Sequence, residues 1–307
     1  VTVEDWVDAL SAGSGKEKTT KKIWYNQPGT PKLEAKGEYD ATKQTYRLSF
    51  KQSLKAHPKY ANLKAVPIPV ALAIFNEKTG EQEELHSTAL VENNVKDGVY
   101  LFDQDDAVIE FLGVTEKPIV SLLRNFSAPV NLEFNYSDEE LAFLLQYETN
   151  GFNQWQATQT LLERILLNGH DAQVYVKAIK QTLPLVIAKD PLLASRLFDV
   201  PSEGYLASRI DTDYNPIVVK ETRDALLNKL ANELGNFAKE TYTDLDPIAQ
   251  NEFSQAMGVR ALKNIMLSFM ARQGDADVFD LAYEQYQNTG NMSERLGALK
   301  VLVWNNA

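Results

Sequence analysis

The sequence predicts a small antiparallel β-sandwich followed by an irregular superhelix of α-helical hairpins. Between Lys32 and Tyr136, apolar and polar residues alternate with a period of two, and turn residues separate the short runs. From Ser137 onward the apolar residues recur at helical spacing, and many segments are apolar on more than one face. Such helices need neighbours on both sides, as in stacked helical hairpins. We therefore place the domain boundary at about residue 136.

The β region is predicted to contain about seven short strands, with turns at 40–43 and 76–80. Pro67 and Pro69 lie in an apolar run and indicate an edge or bulged strand. Short strands at regular spacing favour an immunoglobulin- or fibronectin-like sandwich, and a barrel is the alternative. The predicted strands are 33–39, 46–50, 66–75, 98–102, 107–114, 119–126 and 130–136.

The helical region opens on a predicted capping box formed by Ser137 and Glu140, and Gly151 marks the end of the first helix. Ahead of the β region, residues 1–12 are expected to form the tail of a helix, and residues 13–22 a polar linker. Asp190 is expected to cap a helix that starts with Pro191. The other predicted helices are 152–167, 171–183, 190–199, 203–210, 216–236, 246–272, 276–288 and 293–305.

Composition excludes several classes of function. The 307 residues carry a net charge of −11, and so acidic a surface repels the phosphates of nucleic acids. The apolar runs are far shorter than the roughly 20 residues of a membrane-spanning helix. Cysteine is absent, which fits a reducing compartment, and we expect a cytoplasmic location without nucleic-acid or membrane partners.

Three segments of the sequence have a distinctive pattern: Trp24–Pro31 (WYNQPGTP), Asn125–Val130 (NFSAPV) and the helix opening Ser137–Leu141 (SDEEL). They resemble segments of bacterial aminopeptidase N, the alanyl aminopeptidase family of thermolysin-like zinc metallopeptidases. The resemblance implies that residues 1–22 are the last helix of a catalytic domain and a linker. It also implies that residues 23–136 are the family's β-sandwich and that residues 137–307 are the first part of its C-terminal helical domain.

The sequence lacks the His-Glu-x-x-His motif that supplies two zinc ligands and the general base in such enzymes. The three histidines, His57, His86 and His170, have no second histidine at ligand spacing and are expected to be loop residues. The segment Gly290–Glu294 superficially echoes a substrate-binding strand of the family, but we interpret Ser293 as a helix N-cap.

Other polar groups also favour structural interpretations. The acidic segments 103–106 and 211–213 are expected to be solvated loops, because neither has a complete calcium-loop pattern. Ser127 lacks the sequence context of a catalytic nucleophile. No catalytic, cofactor-binding or metal-binding residue is therefore predicted, and zinc is implied only for the intact parent enzyme.

These observations favour a non-catalytic fragment of a zinc aminopeptidase that removes N-terminal residues from peptides. By resemblance, the sandwich is a spacer, and the helical domain roofs the active-site cleft and controls access to it. The expected partners are the catalytic domain, further C-terminal helices and, in the intact enzyme, peptide substrates. The alternative is a free-standing helical adaptor for a protein partner; since the chain starts at Val1 rather than Met, we expect truncation instead.

Overall fold

The structure is a computed structural model that describes residues 2–15, 22–60, 62–83, 95–210, 214–245, 253–274 and 277–304. The chain forms two compact units. The first contains residues 1–140 and 147–153, and the second contains residues 141–146 and 154–307. Within the described ranges, no helix is both long and apolar enough to cross a membrane.

The first unit starts with two helices, α1 (Val3–Ser14) and the short α2 (Ile23–Asn26). Thr2 caps α1, because its hydroxyl accepts a hydrogen bond from the Asp5 N–H while the Asp5 carboxylate accepts one from the Thr2 N–H. The strands that follow are β1 (Lys32–Asp40), β2 (Thr45–Ser53), β3 (Ile68–Asn76), β4 (Val95–Lys96), β5 (Val99–Phe102), β6 (Asp106–Leu112), β7 (Pro118–Leu122) and β8 (Asn131–Glu133).

These strands form two four-stranded sheets, with the orders β6-β2-β1-β8 and β4-β5-β3-β7. Two separate sheets make an immunoglobulin-like sandwich, so the predicted fold class is confirmed over the barrel alternative. One pair departs from the expected antiparallel pattern: β8 runs parallel to β1, with Leu132 opposite Leu33. The backbone N–H of Asn131 donates to the Pro31 carbonyl at 2.9 Å, which fixes β8 beside the start of β1.

The core of the first unit is built from the inward faces of both sheets. Leu33, Leu48 and Phe50 come from one sheet, and Ile68 and Phe102 come from the other; all are at most 2% exposed. The Phe50 ring lies 5.9 Å from that of Phe102, a tilted contact typical of aromatic pairs in cores. In β2 and β6 the alternation seen in the sequence separates the core face from the outer face, whereas β7 is buried at every position.

Strand β3 changes its pairing partner along its length. Residues Ile68–Ala71 pair with β5, whereas Leu72–Asn76 pair with β7. On the β7 side, the first half of β3 would expose backbone N–H groups, but Pro69 has none and the Ala71 N–H donates to the Ser127 hydroxyl at 3.1 Å. Pro69 therefore lies in a strand that is internal by sheet order, and the edge-strand expectation holds only for this open half.

The segment that covers this open half has a strained backbone. After β7, Leu123, Asn125 and Phe126 have φ angles of 56°, 56° and 52°, and Arg124–Phe126 form a 3-10 turn. These left-handed residues end the predicted strand 119–126 at Leu122. Asn adopts this conformation readily, but Leu123 and Phe126 do so only where surrounding contacts hold them.

The contacts that enforce it come from residues 148–150. The Arg124 guanidinium donates to the Glu148 carboxylate and to the Thr149 hydroxyl, both at 2.7 Å. The Asn125 N–H donates to the side-chain oxygen of Asn150 at 3.2 Å. The side chain of Glu148 is 0% exposed and that of Arg124 is 18% exposed, so the ion pair is largely buried.

We predict that Glu148→Gln destabilises the first unit by about 3 kcal/mol, because it leaves the Arg124 charge buried without its counter-ion. Urea unfolding followed by circular dichroism and tryptophan fluorescence measures this change. Glu38→Gln is the matched control, since the Lys36–Glu38 pair is exposed and its loss should leave the unfolding midpoint unchanged. Equal midpoints for the two variants would contradict a structural role for Arg124–Glu148.

The described helices after β8 start at α3, which Ser137 caps as predicted. The Ser137 hydroxyl accepts from the Glu140 N–H at 3.1 Å, and the Glu140 carboxylate accepts from the Ser137 N–H at 3.0 Å. The helices are α3 (Asp138–Tyr147), α4 (Gly151–Asn168), α5 (Ala172–Lys189), α6 (Pro191–Arg196), α7 (Glu203–Arg209), α8 (Pro216–Asp244), α9 (Phe253–Arg272), α10 (Asp277–Asn288) and α11 (Met292–Trp304).

Two helices run further than the sequence predicted. Helix α5 was expected to end at residue 183 but continues through Pro184 to Lys189, and Pro184 is exposed, so water can satisfy the carbonyl that loses its donor. Helix α8 was expected to end at 236, and its helical backbone does break at Gly235 (φ 44°, ψ −124°), but a second helical stretch continues to Asp244. The expected start of α9 at 246 lies outside the described residues.

Two glycines allow helices of the second unit to pack closely. A Cβ at Gly258 on α9 would overlap the backbone N and Cα of Leu192 on α6. A Cβ at Gly297 on α11 would overlap the side-chain amide of Asn264 on α9. Helix α9 therefore has close neighbours on two sides. The Leu192 backbone cannot yield to a Cβ at Gly258, whereas a Cβ at Gly297 would have to displace the Asn264 amide.

We predict that Gly258→Ala destabilises the second unit by about 2 kcal/mol or more, because the Leu192 backbone cannot move without displacing α6. Gly204→Ala is the control, since Gly204 is helical with open space around its Cβ position. That change should stabilise the unit by about 0.5–1 kcal/mol through helix propensity. Urea unfolding of both variants measures the difference, and the same sign for both would rule out the steric explanation.

Candidate functional site

Zinc, which the resemblance implies for the intact enzyme, does not fit the described residues of this chain. His57 is exposed, its Nδ1 accepts from the Lys59 N–H at 3.2 Å, and its ring lies edge-on to Tyr60. His170 is exposed after α4, and His86 lies outside the described residues. Among the described residues, no three His, Asp or Glu side chains are grouped so that they could hold a metal ion. No chemical step through zinc is assigned to this chain.

The segment Gly290–Glu294 forms the start of α11 rather than a strand. The Asn291 side-chain oxygen accepts from the Ser293 N–H at 2.9 Å, and α11 begins at Met292. Asn291 is therefore the capping residue, and the prediction that Ser293 is the N-cap was wrong. The amide oxygen of Asn291 satisfies an N–H of the first turn, so the helix starts one residue before Ser293.

The other polar candidates have structural partners. In the acidic segment 103–106 between β5 and β6, the carbonyls of Gln104 and Asp105 accept hydrogen bonds from Gln52. The Ser127 hydroxyl accepts a hydrogen bond from the Ala71 N–H and so serves as an acceptor for the sheet. The acidic segment 211–213 lies outside the described residues.

The first of the segments that resemble aminopeptidase N is also structural. The Trp24 indole N–H donates to the Pro67 carbonyl at 3.0 Å. The Gln27 side chain donates to the Lys64 carbonyl at 2.8 Å and accepts from the Lys64 N–H at 2.7 Å. Trp24 and Gln27 thus anchor the chain that leads into β3.

A groove with a cavity volume of about 1040 Å³ lies in the second unit, lined mainly by α8, α9 and α11. Its charged lining residues are Lys220, Arg223, Arg272 and Lys300, opposed by Glu203 and Asp224. The groove therefore carries an excess of two positive charges in a chain whose net charge is −11. A cationic cavity in an acidic protein is the strongest candidate for a binding site in the described part of the chain.

Two of the cations share a single carboxylate. The Lys220 ammonium lies 2.6 Å from one Asp224 oxygen, and the Arg272 guanidinium lies 3.3 Å from the other. The hydrogen bond from Lys220 lowers the pKa of Asp224, and the same bond raises the pKa of Lys220. Both shifts favour the charged forms of Asp224 and Lys220, and this one carboxylate is shared by Lys220 and Arg272.

The other two cations have no carboxylate partner within the described chain. Arg223 donates to the carbonyl of Pro201 at 2.9 Å and to that of Val200 at 3.5 Å, and these bonds orient the guanidinium without neutralising it. Lys300 is exposed on α11 and has no hydrogen bond or ion pair to a described residue.

Uncharged side chains complete the lining. Asn228, Asn264 and Ser268 provide amide and hydroxyl groups, and Ile265 and Leu296 provide apolar surface. The arrangement can hold an anion beside groups that hydrogen-bond amides. This combination suits a peptide better than an isolated ion.

Sequence reasoning did not find the groove. The spacing of Lys220, Arg223, Asp224 and Asn228 places them on one face of α8, which is a visible signal, but such a pattern is ordinary for a solvated helix surface. Arg272 and Lys300 join this face only through the packing of α8 on α9 and of α9 on α11. The fold, rather than any local motif, creates the site.

Two family models match the chain. The first is described as a domain of unknown function (DUF3458) with an Ig-like fold and matches residues 29–135. The second is described as a domain of unknown function (DUF3458_C) with ARM repeats and matches residues 138–307. These descriptions agree with the observed sandwich and with the helices that follow it.

Characterised relatives share this region. The chain is 30% identical to aminopeptidase N of Escherichia coli, covering 98% of this chain and 35% of that protein. It is 27% identical to aminopeptidase N of Haemophilus influenzae and 28% identical to that of Caulobacter vibrioides, with 98% of this chain covered in both. The chain thus spans about a third of the length of the relatives it matches.

A solved structure has the same fold. It is Legionella pneumophila aminopeptidase A in complex with aspartic acid, with a TM-score of 0.78, 24% identity, and coverage of 98% of this chain and 35% of that one. At this identity the likeness concerns the fold alone. The chain belongs to the DUF3458 family, an Ig-like domain followed by ARM repeats, and it matches the C-terminal region of aminopeptidase N.

Proposed function

We propose that this chain is a non-catalytic region of a zinc aminopeptidase that removes N-terminal residues from peptides. The observation that carries the proposal is the match of 98% of the chain to about a third of aminopeptidase N. The sequence also lacks the His-Glu-x-x-His motif, so the reaction belongs to another part of the parent enzyme. No residue of this chain is assigned a catalytic, cofactor-binding or metal-binding role.

In this proposal the segments have separate tasks. Residues 1–22 are the last helix of the catalytic domain and a linker, residues 23–136 are the spacer sandwich, and residues 137–307 are the first part of the helical domain. The sandwich would act as a spacer. The helical domain would roof the active-site cleft of the catalytic domain and restrict entry to peptides with a free N-terminus. The buried Arg124–Glu148 pair and the tightly packed α9 give each unit the rigidity that such tasks require.

The partners follow from this assignment. They are the catalytic domain, which would hold the zinc ion, further C-terminal helices of the parent chain, and peptides bound by the intact enzyme. The enzyme would act in the cytoplasm. The acidic surface, with its net charge of −11, disfavours nucleic acid as a partner.

We predict that the 307-residue chain binds no stoichiometric zinc and does not hydrolyse aminoacyl-anilides, whereas the intact gene product does both. Metal analysis after dialysis and an anilide assay on the two proteins measure this difference. To test the roof, kcat/KM is compared for peptides of about 3 and about 30 residues. The intact enzyme should favour the short peptide, and a variant without residues 137–307 that retains zinc and secondary structure should favour it less.

Three results would contradict parts of this proposal. One tightly bound zinc with turnover in the isolated chain would contradict the non-catalytic assignment. An intact gene product without the His-Glu-x-x-His motif would support the adaptor alternative instead. Unchanged length preference in the folded truncation would remove the access role and leave the rest of the proposal in place.

A further inference from the structure

We propose that the groove lined by α8, α9 and α11 binds a carboxylate of an extended peptide. The choice of a peptide rests on the proposed function, but the charge and shape of the groove do not.

The charge of the groove favours an anionic ligand. The chain as a whole is acidic, with a net charge of −11, so an anionic ligand is repelled by most of its surface. The groove reverses this sign with four cationic and two anionic lining side chains. A carboxylate near the protein is therefore favoured at this position over the rest of the described surface.

N–H donors of the cationic side chains in the groove remain available to a ligand. Lys300 has all three ammonium N–H groups free of described partners. Arg272 spends one nitrogen on Asn228 at 2.8 Å and another on Asp224, which also receives Lys220. Lys220 and Arg272 share the single carboxylate of Asp224. A ligand carboxylate would give them a second acceptor, and charge-assisted hydrogen bonds of this type are strong.

The uncharged lining of the groove suits the rest of a peptide ligand. The Ser268 hydroxyl is exposed in the groove, and Ile265 and Leu296 offer apolar contact beside it. Peptide amides and aliphatic side chains match these groups, whereas a small inorganic anion would leave them unused. A cavity of about 1040 Å³ is large enough for several residues and much larger than one carboxylate needs.

The wall of the groove is preorganised. The Asn264 side chain is fixed on both ends, since it donates to the Ser293 carbonyl at 3.0 Å and accepts from Gln285 at 2.9 Å. Gly297 lies against Asn264 without room for a Cβ, which holds α11 close to α9. A wall that is already ordered costs little entropy when a ligand binds.

The experiment is calorimetric titration of the 307-residue chain with N-acetylated pentapeptides. The first has one Glu and a free C-terminus, the second is its C-terminal amide, and the third replaces Glu by Gln. A fourth combines both changes. Saturable binding of the first is expected, with loss in the second if the C-terminal carboxylate binds or loss in the third if the side chain binds. The fourth should not bind.

Groove variants assign the binding to this site. Lys300→Glu and Ser268→Asp each add negative charge at an exposed lining residue, so neither should perturb folding. Each is expected to weaken binding of the first peptide by about tenfold or more. Lys177→Glu is the matched control, because Lys177 is an exposed helical lysine outside the groove and the change in net charge equals that of Lys300→Glu. The control should bind like the parent chain.

Several outcomes would overturn the proposal. They are equal affinity for the charged and the fully neutral peptide, equal loss in Lys177→Glu and Lys300→Glu, or competition by inorganic phosphate at concentrations as low as those of the peptide. None of these measurements requires turnover or zinc. An intact enzyme without aminopeptidase activity would therefore defeat the proposed function while leaving the binding result standing, and the reverse also holds.

Discussion

The first unit depends on closing the open half of β3 on the side facing β7. Strand β7 ends opposite Leu72, so before that residue β3 has β5 on one side and no strand on the other. Pro69 removes one donor, and Ser127 receives the donor of Ala71. Ser127 reaches that position only because the chain turns sharply at Leu123 and Asn125, both in left-handed conformation. An unpaired strand segment can pair with another chain. Covering this segment therefore offsets the conformational cost of the strained turn.

The same turn explains why a buried ion pair stands at this position. Arg124 is part of the strained segment, and its guanidinium holds Glu148 and Thr149. A buried ion pair contributes little net stability relative to apolar packing, but it fixes one geometry because any other arrangement leaves a charge unpaired. Here the ion pair fixes the geometry of the turn. The turn places Ser127, which accepts the hydrogen bond at the open edge of β3. The segment Asn125–Val130, one of the three that resemble aminopeptidase N, therefore has a structural role in this fold.

Much of this fold was predictable because it is recorded in local patterns. The alternation from Leu33 to Phe50 predicted strands, and Ser137 with Glu140 predicted the cap of α3. Boundaries were predicted poorly where tertiary context outweighs local preference, as in α5, which continues through Pro184, and α8, which continues past Gly235. The parallel pairing of β8 with β1 has no local signal, since it depends on where the turn at Asn125 delivers the chain.

The groove was unpredictable for a related reason. Lys220 and Asp224 form an i,i+4 pair on α8, which on an isolated helix is a surface pair of small energetic value. Packing of α9 on α8 adds Arg272 to the same carboxylate, and packing of α11 on α9, close at Gly297, adds Lys300 to the same cavity. Each cation is ordinary by itself, and their concentration beside one shared acceptor is what sets this cavity apart from the acidic remainder. Since the packing of the helices, and no local motif, assembles the charges, the chemistry of the groove is a consequence of tertiary structure.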